Sequence, residues 1–277
     1  MNPSAPGSRT PPPVAAFLLV ALVVALGQFA GRSGNDPFST LERNLAGLAD
    51  KYSLELVART PRFPVQTAHG QITGERASPE ELARFGEILR EEWNLYPVEL
   101  IQKTGLKRLV LCTNLAFAGQ HRTAIPDFEH DDLYFDVHRG GHSADYERKV
   151  IHHEFFHIID LRDDGSLYSD PRWESLLPEG TRYGRGGETV QDDSSQSLPD
   201  DSVPGFLNKY STIGVEEDKA EMYANLVVDA RAVEVRAATD PLIGEKADQM
   251  RRLLEAFCPQ MDESFWDAAR RLNRTHR

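Results

Sequence analysis

The stretch SADYERKVIHHEFFHIIDL, Ser143 to Leu161, reads as one buried helix, and the rest of the chain is best understood around it. Ser143 is a good N-cap, and Asp145 and Glu147 fall in the first turn, where the helix dipole favours negative charge. Val150, Ile151, Phe155, Ile158 and Ile159 recur at the spacing of an apolar face. Set into that pattern are His153, Glu154 and His157. Side chains four residues apart leave a helix on the same face, one turn apart, so two imidazoles at this spacing can meet on one metal ion. Zinc held by two histidines and an acidic group keeps a fourth position for water and lowers its pKa, and a neighbouring carboxylate can then take the proton. The expectation is one Zn2+ per chain, with His153 and His157 as ligands and Glu154 as the base. The alternative is a pair of core histidines satisfied by hydrogen bonds. His152 points about 100° away and reads as a supporting or surface residue. His138 and His142, just upstream, are either substrate-facing or ordinary solvated loop histidines.

Upstream of this helix the pattern mixes helices and strands. DPFSTLERNLAGLADKY reads as a helix and LELVART as a strand. In SPEELARFGEILREEWNLYP, Ser78 caps, Pro79 takes the first helical position, and Glu81 completes a capping box, so a helix runs to just before Pro97. Two strands follow, LKRLVLCTNL and DDLYFDVH, the second alternating Leu133, Phe135 and Val137 with Tyr134, Asp136 and His138. Downstream, residues 163–204 lose periodicity and fill with Gly, Ser, Asp and Pro, the composition of an exposed loop or insertion. Helical character returns from Val215 to Ala238, and LIGEKADQMRRLLEAF and ESFWDAARRLNR add two amphipathic helices. The expected class is α+β, with one domain over residues 37–277.

Composition narrows the function. With 277 residues, 40% hydrophobic and 27% charged, the chain supports one packed core. A formal net charge of −12 argues against nucleic acid, whose binding relies on Lys and Arg. The uncharged run VAAFLLVALVVAL, Val14 to Leu26, is an export signal, so residues 1–36 read as a signal or signal anchor with a linker. Membrane contact is expected only there, and the location is extracytoplasmic, secreted, periplasmic or anchored. Cys112 and Cys258 both sit in apolar surroundings and read as buried free thiols, with a single disulfide as the alternative.

The third metal ligand has three candidate sources: a near Asp, a distant Glu on another helix, or a distant Asp or His. Asp163 lies six residues after His157, but a continuing helix would carry it away from the metal. In KYSTIGVEEDKAEMYANLV, Glu217 and Glu221 share a helix face, sixty residues or so beyond His157. Glu216, Glu217 and Asp218 also have a plainer use as acids at a helix N-terminus.

The arrangement resembles gluzincin-type zinc peptidases, and more closely the anthrax lethal factor-like group and related bacterial zinc-binding metallopeptidases. In these, His-Glu-x-x-His is followed by Tyr, a seven-residue step, and Glu-x-x-Ala-Glu; Tyr210, Glu217, Ala220 and Glu221 fall at those positions. Asp160 matches an Asp three residues after the second histidine. The resemblance covers about Leu133 to Val228. It implies a zincin-like fold, a small mixed sheet packed on the motif helix with a mainly helical C-terminal part. It also implies Glu217 as third ligand, Tyr210 as a hydroxyl near the metal, and Glu221 and Asp160 as supports behind the ligands. Gly214 stands where the group often has Asn, and Asp218-Lys219 replace bulky apolar residues, which leaves Glu216 and Glu221 as alternative ligands.

The expected reaction is hydrolysis of peptide bonds in a peptide or protein substrate, with the strand from Asp131 to Val137 offering its edge to an extended chain. The rival reading is a catalytically inactive zincin-like binding protein of the cell envelope. Retention of Glu154 weighs against it, because a structural site has no need of a base.

Overall fold

Local signals set most helix boundaries in the computed structural model, which describes residues 37–184 and 199–274. The leader read as an export signal, and residues 185–198 of the polar segment, lie outside the described residues. Among the described residues no helix is long and apolar enough to cross a membrane. Helix α1 spans Pro37–Tyr52. Helix α2, Pro79–Trp93, begins with the reciprocal capping box of Ser78 and Glu81. A short helix absent from the sequence reading, α3 (Val98–Thr104), starts after Pro97 and stops at Gly105, whose φ of 70° is the left-handed turn that glycine adopts without strain.

Seven strands make one mixed sheet: β1 Glu55–Val57, β2 Val65–Thr67, β3 Gly70–Glu75, β4 Arg108–Phe117, β5 Gln120–His121, β6 Ala124–Asp127 and β7 Asp132–Asp136. The order is β2-β3-β4-β7-β6, with β1 and β5 also pairing along β4. Strand β4 runs parallel to β1 and β7, and the remaining pairs are antiparallel. All five residues of β7 are buried. Leu133 and Phe135 enter the main core, and Tyr134 packs with Ile72, Val110, Cys112 and Ile125 on the opposite face. The expected substrate edge is therefore corrected. Strand β7 is hydrogen-bonded on both sides, to β4 and to β6, and the strand that ends the sheet on this side is β6.

Helix α4 runs from Ala144 to Asp164, capped by Ser143, whose side chain accepts from the Tyr146 amide. Its aromatic face packs Phe155 against Trp93 and Tyr96, and Phe156 against Tyr223. The segment after it is more structured than its composition suggests: α5, Pro171–Glu174, buries Trp173 completely. Helix α6, Val215–Val228, lies alongside α4, and every residue from Val215 to Val227 is buried. The long C-terminal helical run breaks at Asp229, which caps α7 (Ala230–Ala237) by accepting from the Ala232 amide. Helices α8, Pro241–Phe257, and α9, Glu263–Arg271, complete the α+β architecture. Cys112 and Cys258 are both buried free thiols, as read from their surroundings.

On the side of α4 facing α2, His152 is fully buried rather than at the surface. The Tyr96 hydroxyl meets its Nδ1 at 2.5 Å and Glu92 meets its Nε2 at 2.9 Å. Arg274 grips the same carboxylate at 2.8 and 2.9 Å and donates to the Val227 carbonyl at the end of α6. Burial opposes ionisation of Glu92, but hydrogen bonds from His152 and Arg274 hold its pKa down at about 2, against an ordinary 4.5. Burial also depresses His152 below its ordinary 6.5. Both folded values lie below the unfolded ones, so the native state binds fewer protons and loses stability as pH falls. Acid destabilisation is expected to start below pH 6.5 and to steepen from 4.5 towards 2. Glu92 accounts for about 3 kcal/mol of the loss. Denaturant titrations across this range check it, and Glu92→Gln should flatten the part below pH 4.5.

Candidate metal centre

Helices α4 and α6 bring three donors together. His153, His157 and Glu217 each place one ligand atom within 4.8 Å of the others, and all three residues are buried. His157 Nε2 lies 3.2 Å from His153 Nε2, and Glu217 Oε2 lies 2.9 Å from His153 Nε2 and 3.7 Å from His157 Nε2. Zinc at its usual 2.0–2.1 Å from tetrahedral donors separates them by about 3.3 Å. The three distances bracket that value, and two nitrogens with one carboxylate oxygen are the donor types zinc prefers, so the residues fit the ion. Asp163 is exposed near the end of α4 and is not part of this group.

The register of α6 follows from its acidic residues. Glu217 faces the histidines, whereas Glu221, one turn on, accepts from His153 Nδ1 at 3.0 Å. That bond fixes the imidazole and aims Nε2 at the centre. The Glu216 carboxylate folds back over Gly214, where a Cβ would meet Oε1 at 2.3 Å. Glycine at that position is thus the room Glu216 needs. Asp218 and Lys219 turn into separate buried ion pairs: Asp218 with Lys246 at 2.6 Å, and Lys219 with Asp160 and, at 2.8 Å, Asp170. Asp160 therefore ties α4 to α6 through Lys219 instead of bonding a histidine. Its burial, only partly offset by Lys219, pushes its carboxyl up to about 6.

Glu154 is half-buried beside the histidines, and burial pushes its pKa up, which strengthens it as a base. Arg122, in the chain just before β6, is near enough for its charge to act in the opposite sense. Tyr210 opens the 3-10 turn Tyr210–Thr212, with its ring centroid 6.0 Å from that of His153. Burial, and then the charges of Glu217 and Glu154, raise its pKa, so the phenol stays protonated and able to donate. Burial opposes the charge on His153, but Glu217 and Glu221 raise its pKa well above 6.5; Glu217 in turn lies well below the carboxylate range despite burial, held by the two histidines. His138 pairs with Glu81 and is exposed, and His142 stacks on Tyr146. Neither is brought to the centre. Asn208 carried no signal in the sequence, yet it is buried against Glu221 at 2.6 Å.

The α+β fold thus gathers two imidazoles and one carboxylate, donor types that suit zinc, into one buried group between α4 and α6. Comparison with solved structures found a similar fold. The fold is similar to that of a protein from Bacteroides caccae described as a "putative zinc-binding metallo-peptidase", with a TM-score of 0.55, 16% identity, and coverage of 87% of this chain and 94% of that one. No family model matches the sequence, and no curated protein matches it.

Proposed function

We propose that this chain is a zinc-dependent metallopeptidase, acting outside the cytoplasm on peptide or protein substrates. The observation that carries the reading is the meeting of His153, His157 and Glu217 from two helices, with Glu154 adjoining them on α4. These three residues would hold zinc. Zinc bound there would polarise a scissile carbonyl and lower the pKa of a water towards neutrality.

The remaining work belongs to the chain's own side chains. Glu154 takes a proton from the water that attacks the carbonyl carbon, and returns it to the amide nitrogen as the carbon–nitrogen bond breaks. Tyr210 donates its hydroxyl to the carbonyl oxygen as negative charge develops there. Glu221 keeps the His153 ring in the orientation that presents Nε2. With β7 enclosed, an extended substrate finds its open edge at β6, close to α4.

Elemental analysis and digestion of a peptide library test the reading together. The expected result is one zinc per chain, lost in His153→Ala and His157→Ala, and peptide cleavage that disappears with it. A wild-type chain that takes up no zinc would sink the proposal. Tyr210→Phe is expected to keep its zinc and lose about 10- to 1,000-fold in kcat, with a smaller change in KM. An unchanged kcat would remove the donor role.

A further inference from the structure

We propose that Asn208 is a positioning residue that joins the Tyr210 turn to the imidazole of His153, making the metal centre and the hydroxyl donor one rigid unit; this deepens the metallopeptidase reading and rests on it. Asn208 is 3% exposed and its amide is used at both ends. Its Nδ2 donates to Glu221 Oε2 at 2.6 Å, while Glu221 Oε1 accepts from His153 Nδ1 at 3.0 Å. Its Oδ1 accepts from the Ser211 amide at 2.9 Å and the Ser211 hydroxyl at 3.0 Å.

The orientation of the amide is dictated by its neighbours. A backbone N–H can only donate, so the amide oxygen must face Ser211, which leaves the nitrogen to face the Glu221 carboxylate. Ser211 follows Tyr210 directly in the 3-10 turn. The chain of contacts therefore runs from the Tyr210 turn through Asn208 and Glu221 to His153. Asn208 also forms an isolated antiparallel bridge with Pro199, which pins the returning end of the polar segment at the same point. A residue that supports a ligand through one intermediary shapes both metal affinity and the geometry of nearby groups. Most side chains fill no such double role. Asparagine does so here because it offers a donor and an acceptor on one short planar group.

Asn208→Ala and Asn208→Asp separate the two halves of the role. Aspartate keeps acceptors for Ser211 but replaces the donor to Glu221 with a carboxyl oxygen, and thermal melting of both variants establishes that they fold. Zinc affinity, read by chelator competition, is expected to weaken about tenfold in either variant. Little further loss is expected when Asn208→Ala is added to Glu221→Gln, because both substitutions break the same chain. In turnover, Asn208→Ala is expected to lower kcat about tenfold in the wild-type background and to have almost no effect in Tyr210→Phe. Affinities within twofold of wild type, or losses that simply multiply in the double variants, would overturn the proposal. A wild-type protein that binds zinc yet cleaves no peptide defeats the catalytic reading and leaves the zinc comparison to judge Asn208.

Discussion

Glu154→Gln is expected to lower kcat by about 100- to 10,000-fold while the protein retains one zinc per chain. The substitution keeps shape and volume and removes only the ability to accept a proton. Glu154 adjoins His153 in α4 but lies outside the group formed by His153, His157 and Glu217, so its loss should not empty the site. Burial raises the carboxyl pKa, and a base so placed accepts a proton more readily than one in open water. His153→Ala or Glu217→Ala, in contrast, should lose zinc and activity together. The measurement is a pair of numbers for each variant, metal content and kcat for a cleaved peptide. Full zinc with wild-type turnover in Glu154→Gln would remove Glu154 from the chemistry and favour a different base.

The parts of this site that were legible in the sequence are those written at short range. His153 and His157 announce themselves by a four-residue step, and Ser143 and Ser78 by capping patterns. Glu217 and Glu221 were legible only as candidates sharing a helix face, and Tyr210 only through a resemblance, because nothing local ties them to a helix sixty residues earlier. Even then, consecutive acids at 216, 217 and 218 left the register open. What settles it is long-range: Asp218 finds Lys246, Lys219 finds Asp160, and Glu216 occupies the space over Gly214, so Glu217 is the acid left facing α4. None of these pairings has a sequence period. Strand β7 was legible as a strand from its alternation, but its place inside the sheet, between β4 and β6, was not. Its polar residues alternate, but Asp132 is paired with Arg108 and Asp136 accepts from the Leu115, His138 and Arg139 amides, so both faces are buried. Alternation reported side-chain chemistry, whereas burial depended on partners elsewhere in the chain.

The buried pair next to the centre gives the second large effect. Lys246→Met is expected to destabilise the fold by about 3–5 kcal/mol, because it leaves Asp218 charged and buried without its cation. Lys246 Nζ donates to Asp218 and to the Gly205 carbonyl, both at 2.6 Å, and lies 4.2 Å from the centroid of the Phe206 ring. Methionine preserves most of the stem, so the loss reports charge more than packing. Asp218 also accepts from Trp173 Nε1 at 2.8 Å and the Tyr183 hydroxyl at 2.7 Å, and it therefore fastens α5, α8 and the chain near Tyr183 to α6. Adding Asp218→Asn keeps an acceptor for these two donors and removes the stranded charge, so the double variant should be more stable than Lys246→Met alone by at least about 1 kcal/mol. The sign with pH is also fixed. Burial already pushes the Asp218 carboxyl above its ordinary 3.8, against the pull of Lys246, and without Lys246 it rises further. Protonation then relieves the charge, so the penalty in Lys246→Met should shrink as pH falls and grow as pH rises. Denaturant unfolding of the four proteins at several pH values reads all three outcomes. A penalty independent of pH, with no recovery in the double variant, would mean that Lys246 contributes packing alone. Because Asp218 adjoins Glu217, the same variants should bind zinc more weakly even where they remain folded, which links the ion pair behind α6 to the carboxylate in front of it.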